Sequence, residues 1–166
     1  MTTLIRRAES EDIEAICWAD ARAFGDGPYG EARDKTDHSD WREQRFQRLE
    51  EWYQDHNRET FVAVVDGKVV GFAGYRPVEG EEGIIHNNAV DPEYQGRGIS
   101  TRLVERVVEE LTALGVTRIT VHTAHVPAAT RVYEKAGFNI VEQEGPRTGL
   151  EMRLADAGQA AGSDSE

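Results

Sequence analysis

The stretch Val90-Asp91-Pro92-Glu93-Tyr94-Gln95-Gly96-Arg97-Gly98-Ile99-Ser100-Thr101 constrains this chain more than any other. An apolar strand pattern ends at Val90 and a turn signal follows at Asp91-Pro92. Two glycines then open an amphipathic helix that runs to Leu114 and stops at Gly115. A strand that turns over glycine into a helix leaves unbonded backbone N–H groups, and the positive end of a helix dipole, at the edge of a sheet. That arrangement suits an anion, and glycine lets the backbone approach a phosphate closely. The glycines alone say less. Thr101 stands where a dinucleotide-binding turn needs its third glycine, and Glu109 and Glu110 sit in a helical pattern where that fingerprint needs a strand-borne acid. No Gly-Lys-Ser/Thr follows, which excludes a Walker-type loop. Taken by itself, the stretch also reads as a plain glycine-rich turn.

A chain of 166 residues is long enough for one sizeable core, and 39% hydrophobic with 30% charged residues reads as soluble and globular. No apolar run reaches membrane-spanning length, and Met1 to Arg7 lacks an apolar signal core. Cys17 is the only cysteine, so neither an intrachain disulfide nor a cysteine metal cluster is available. A cytoplasmic protein is the default expectation. The formal net charge of -12 argues against nucleic acid as a partner. It suits either an amine-bearing substrate drawn by long-range attraction or simply an acidic, solvated surface.

Elsewhere the pattern is regular. Leu4–Arg6 reads as a strand. Ser10 reads as the N-cap of a helix carrying Ile13, Ile16, Cys17 and Ala21 and ending at Phe24. Residues 25–38 read as a loop. Asp40 with Glu43 is a capping-box pattern before Trp41, Phe46, Leu49, Trp52 and Tyr53. Thr60–Val65, Asp66-Gly67 and Lys68–Tyr75 form a hairpin signal. Strands follow at Gly83–Val90 and Thr117–His122. Pro127 starts a last helix that Gly137 stops. Phe138–Val141 and Leu150–Leu154 read as a closing strand pair, and 155–166 as a disordered acidic tail. The order β-α-α-β-β-β-α-β-α-β-β makes an α/β chain, a mixed sheet with helices packed on it, in a single domain over 1–154.

Two motifs carry a family resemblance. Gln95-x-x-Gly98-x-Ser100 resembles the Gln/Arg-x-x-Gly-x-Gly/Ala signature of the GNAT superfamily of acyl-CoA N-acyltransferases. Tyr133-Glu134-Lys135-Ala136-Gly137-Phe138 resembles the helix end of that superfamily, in the right order and at a fitting distance. The element order is also that of the GNAT fold, over roughly residues 3–154. The resemblance implies a mixed, mostly antiparallel sheet of six or seven strands with about four helices. It implies a sheet splayed after the fourth strand, with acetyl-CoA as co-substrate in the gap and no metal. It leaves room for a homodimer and points to no nucleic-acid or membrane partner.

The same resemblance implies the site. The loop residues Gln95, Gly96, Arg97, Gly98, Ile99, Ser100 and Thr101 would meet the coenzyme A pyrophosphate. The Ala89–Val90 edge would pair with the pantetheine amides. Ser100 departs from the usual Gly/Ala: its hydroxyl either adds a phosphate bond or crowds the approach. Tyr133 matches the tyrosine that hydrogen-bonds the coenzyme A sulfur, against the plainer reading of an amphipathic core tyrosine. His86 reads as the base that takes the amine proton or as a histidine bonded within the sheet. Strict alternation would put Ile84, His86, Asn88 and Val90 on one strand face, with Asn88 orienting substrate or water. Val126 stands where the family often has a cofactor-contacting asparagine, so that contact is lost or His125 replaces it. His122-x-x-His125 straddles a strand end and a loop, which argues against zinc. The chain therefore reads as an N-acetyltransferase acting on a primary amine. The other reading is a non-catalytic acyl-CoA-binding sensor or partner-binding module.

Overall fold

The computed structural model describes residues 2–25, 41–124, 127–145 and 147–154. Its strands are β1 (Thr3–Arg7), β2 (Thr60–Val65), β3 (Lys68–Tyr75), β4 (Glu82–Val90), β5 (Arg118–Ala124), β6 (Asn139–Glu144) and β7 (Arg147–Arg153). Its helices are α1 (Ile13–Gly25), α2 (Trp41–His56), α3 (Ile99–Ala113) and α4 (Pro127–Lys135). The strands form one sheet in the order β1-β2-β3-β4-β5-β7-β6. Only β4 and β5 run parallel, because α3 crosses between them.

Local chemistry accounts for the boundaries. The β2–β3 turn places Asp66 at φ 49° and Gly67 at φ 78°, as a two-residue hairpin turn with both central residues left-handed requires. Before α1 the chain makes a short 3₁₀ turn at Ser10–Asp12. The cap is Glu9 rather than Ser10: Glu9 and Asp12 exchange side-chain and backbone bonds as a capping box. The closing hairpin is longer than its apolar residues suggest, because β6 continues through polar Glu142 to Glu144 at the sheet edge. The expected loop from residue 26 onward, the Asp40 cap, His125, Val126 and the tail from 155 lie outside the described residues.

Two cores sandwich the sheet. On one face Leu103, Val104, Val107 and Leu111 of α3 pack with Phe61, Tyr75, Ile85, Val90 and Tyr133. On the other, Ile16 and Cys17 of α1 with Leu49 and Tyr53 of α2 cover Val62, Phe72 and Ala89. Burial on both faces explains why β2 and β3 read as continuous apolar runs instead of alternating ones. Among the described residues no helix is long and apolar enough to cross a membrane.

The first strand is tied to α1 by a two-pronged ion pair, Arg6 Nη1 and Nη2 to Asp12 Oδ2 and Oδ1 at 2.7 and 3.0 Å. The Glu9 N–H also donates to Asp12 Oδ2 at 2.8 Å. Burial pushes the Asp12 carboxyl up, but the Arg6 fork and the Glu9 N–H outweigh it and hold the carboxyl below its ordinary value. Its stabilisation is therefore complete above the unfolded carboxyl value of about 3.9 and is lost as pH falls through the folded one. Asp12→Asn should cost about 1 kcal/mol at pH 7 and make denaturant stability less steep between about pH 5 and 2. Urea titrations across that range test this, and parallel stability curves for the two proteins would refute it.

Candidate acyl-donor site

β4 and β5 share only three rungs, Glu82↔Arg118, Gly83↔Ile119 and Ile84↔Thr120. Beyond Ile84 the strands part. β5 continues against β7 alone, while β4 stays with β3. β4 is irregular just beyond this point. Ala73 pairs with Asn88 and Tyr75 with Ile85, so Gly74 faces both His86 and Asn87. That is one extra residue in β4, a β-bulge, with Asn87 at φ 55°. Asparagine tolerates this left-handed conformation better than most residues.

The bulge also corrects the expected strand faces. Ile85 and Val90 lie in the α3 core although an odd number of positions separates them. Asn88 points to α3 and α4 with Val90. His86 lies on the opposite face, its ring centroid 4.7 Å from that of Trp52 on α2. His86 and Asn88 therefore do not share a face.

At the end of the gap the chain turns over Asp91. The Asp91 N–H bonds back to Val70 O at 2.8 Å, so the N–H and C=O of Asn88 and Val90 are directed away from β3. Gln95 Nε2 donates to Val90 O at 2.9 Å and closes the turn. Gly96 and Gly98 have φ of 76° and 78°, and no atom lies within 4 Å of where a Cβ would stand on either. They are needed for backbone conformation, and the space above them is open. Gly98 caps α3, and Arg102 N–H is the first to bond along the helix, to Gly98 O at 3.1 Å. The N–H groups of Ile99, Ser100 and Thr101 precede that bond and point out of the helix end. No acidic residue occupies the first turn. The Ile99 side chain is core, whereas Arg97 is exposed, stacked over Tyr94 at 5.2 Å and donating to Glu93 O at 3.3 Å.

This turn is fixed by Asp91, which its turn signal marks, and by Arg22, which sequence reasoning did not single out. The Asp91 carboxylate is buried, accepts the Glu93 N–H at 3.0 Å and pairs with Arg22 Nη1 on α1 at 3.3 Å. Arg22 Nη2 also reaches Glu93 Oε1 at 3.5 Å. An Asp-Pro turn signals its Asx bond from sequence alone, but the arginine comes from another element 69 positions away and leaves no local signal.

Facing the gap, Asn88 Nδ2 donates to Tyr133 Oη at 3.5 Å, and Ser100 Oγ donates to Asn88 Oδ1 at 3.4 Å. Tyr133 is 6% exposed and packs edge-on against Phe138, ring centroids 5.7 Å apart. β4, α3 and α4 thus each supply one polar group to a single cluster. On the other face, His86 Nδ1 contacts Asn87 Nδ2 at 3.2 Å, and Trp52 stacks on His56 at 3.7 Å. Beyond Trp52 an open cleft of about 350 Å³ is lined by Trp52, Arg76, Pro77, Glu79, Glu82 and Ile84.

A strand–turn–glycine–helix opening beside a splayed parallel pair is a specific arrangement, and the acetyltransferase (GNAT) family model matches residues 28–138. The chain belongs to the GNAT acetyltransferase family. The ribosomal protein bS18-alanine N-acetyltransferase of Escherichia coli K12 is 36% identical over 80 residues, 48% of this chain and 53% of that protein. The mycothiol acetyltransferase of Rhodococcus opacus is 39% identical over 92 residues, 55% of this chain and 27% of that protein. The chain thus spans about half or less of the length of these relatives. The PaiA N-acetyltransferase of Thermoplasma acidophilum, crystallised with coenzyme A, superposes with a TM-score of 0.78. That match has 16% identity and covers 93% of this chain and all of that one. The seven-stranded mixed sheet with four helices is the GNAT fold.

The lone cysteine of this GNAT domain stands apart from the gap. Cys17 is fully buried in the α1–α2 core. Burial, then Glu50, Asp20 and Glu14, push its thiol up to about 12, so it is no nucleophile near neutral pH. Exposed His122 lies beside Glu142, Nε2 to Oε2 3.7 Å. Among the described residues no three metal-ligating side chains converge.

Proposed function

We propose that this GNAT domain transfers an acetyl group from acetyl-CoA directly to a primary amine, on a small molecule or on a peptide or protein. The observation that carries this reading is the open, glycine-bounded start of α3 at the end of the β4–β5 gap. The residues fit the donor. The N–H groups of Ile99, Ser100 and Thr101, with Arg97 near, would hold the pyrophosphate, and glycine at 96 and 98 leaves room for it. The Asn88–Val90 edge would pair with the pantetheine amides as an added strand would. Acetyl-CoA, when bound, supplies an acyl thioester.

In the transfer a nitrogen–carbon bond forms and the carbon–sulfur bond breaks. The amine gives up a proton, and the departing sulfur takes one. His86 accepts the amine proton, directly or through one water. Tyr133 donates its phenolic hydrogen to the sulfur, a role for which an ordinary phenol, protonated to about pH 10, is suited. The bulge sets these roles on opposite faces of β4: the amine approaches over Trp52, and the thiol forms beside α4. The cleft of Arg76, Glu79 and Glu82 lies on the amine side, where charge selects the acceptor. Cys17 takes no part, and direct transfer needs no acetyl-enzyme. In this reading the enzyme works in the cytoplasm, and a homodimer is compatible with it.

Thiol release across a panel of amines tests the reading. Turnover with at least one amine is expected; tight acetyl-CoA binding with no release for any amine would instead support the non-catalytic sensor. Gly98→Asp should weaken acetyl-CoA binding by at least about 2 kcal/mol in calorimetry, through the added charge and the strained φ. A folded variant of unchanged affinity would overturn the donor assignment.

Tyr133→Phe should keep acetyl-CoA affinity and lower kcat by roughly 10- to 1000-fold. The wild-type rate should rise with pH as the His86 imidazole loses its proton, and His86→Gln should lower kcat and flatten that limb. Unchanged kcat in Tyr133→Phe would return that residue to packing. A retained limb in His86→Gln would move the base elsewhere.

A further inference from the structure

We infer that Ser100 and Asn88 act together as positioning residues that aim the Tyr133 hydroxyl, so that the serine in the pyrophosphate loop serves the leaving group rather than the phosphate. The inference rests on the transfer reaction proposed above.

Three observations carry it. The Ser100 hydroxyl donates to Asn88 Oδ1 at 3.4 Å, so it is engaged between α3 and β4. Asn88 Nδ2 then donates to Tyr133 Oη at 3.5 Å. The bulge at Asn87 brings the Asn88 side chain onto this face at all. A phenol oxygen that accepts an amide N–H keeps its own hydrogen for another acceptor. Ser100 and Tyr133 lie on different helices, and Asn88 is the bridge between them. Both bonds are long, and catalytic hydrogen bonds of this kind shorten when the reacting group is seated.

The chain shows why the arrangement needs a hydroxyl at 100. Alanine or glycine there keeps the backbone N–H that an anion needs but offers nothing to Asn88 Oδ1. The amide would then be free to turn its oxygen toward Tyr133 and accept the phenolic hydrogen, taking it from the sulfur. The serine therefore affects a step of the chemistry and leaves donor binding alone.

The test uses the full chain and the best amine from the panel. Ser100→Ala should lower kcat about 3- to 10-fold, the value of one neutral hydrogen bond, with KM for acetyl-CoA unchanged. Ser100→Thr, which restores the hydroxyl, should recover most of the loss. In a Tyr133→Phe background, Ser100→Ala should have no further effect. A raised KM for acetyl-CoA with kcat unchanged would place the hydroxyl on phosphate and overturn the inference, as would a loss that persists without the Tyr133 hydroxyl. A second readout does not depend on turnover. In protein labelled with 3-fluorotyrosine, the ¹⁹F signal assigned to position 133 by Tyr133→Phe should shift and titrate differently in Ser100→Ala. An unmoved signal would refute the positioning even if the enzyme is active. A moved signal in a protein that acetylates nothing would sustain the contact and sink the transfer reading instead.

Discussion

The extra residue in β4 is the constraint on which the rest of the structure depends. The bulge it makes begins two residues beyond Ile84, the last β4 residue paired with β5. Pairing with β5 stops after three rungs, and the N–H groups of Asn88 and Val90 are directed away from β3. The same residue reverses strand parity, so that His86 meets Trp52 on one face while Asn88 meets Tyr133 on the other. One left-handed asparagine thus puts the side chains of His86 and Asn88 on opposite faces of β4. Such strain persists only where the surroundings enforce it. Here β3 holds both ends of the bulge and the two cores clamp the strand.

The turn beyond the gap is held as firmly. Val90 and Ile99 are both buried in the α3 core, which fixes where the strand ends and where the helix begins. Between them, Arg22 pins Asp91 from α1, and Gln95 ties back to Val90 O. A buried carboxylate with one arginine and one N–H for partners is costly to disturb. The glycines at 96 and 98 therefore lie open beside a turn that is tied down on both sides.

Much of this was legible in the sequence. The hairpin at Asp66-Gly67 and the helix opening at Gly98 carry their own local signals, because φ and turn type are chosen by one or two residues. The two family motifs placed the loop and Tyr133 together before any geometry was known. What the sequence hid was whatever depends on pairing between distant elements. The bulge is invisible in Ile-Ile-His-Asn-Asn-Ala-Val, where alternation looks regular and only the two asparagines hint at a left-handed position. The misplacement of His86 and Asn88 on one face follows from that. Serine is the commoner cap, so the local pattern favours Ser10 over Glu9, while the decisive partner, Asp12, is held by Arg6 from a strand. Arg22 at the turn gave no signal at all.

In the proposed reaction acetyl-CoA seats itself between β4 and the start of α3. Amide hydrogen exchange measured with and without saturating acetyl-CoA addresses that directly. Protection should concentrate on the N–H groups of Gly98 to Thr101 and on the Asn88–Val90 edge, with little change in β1, β2 or β6. Protection that falls elsewhere, or none in these two segments under saturating ligand, would contradict the account.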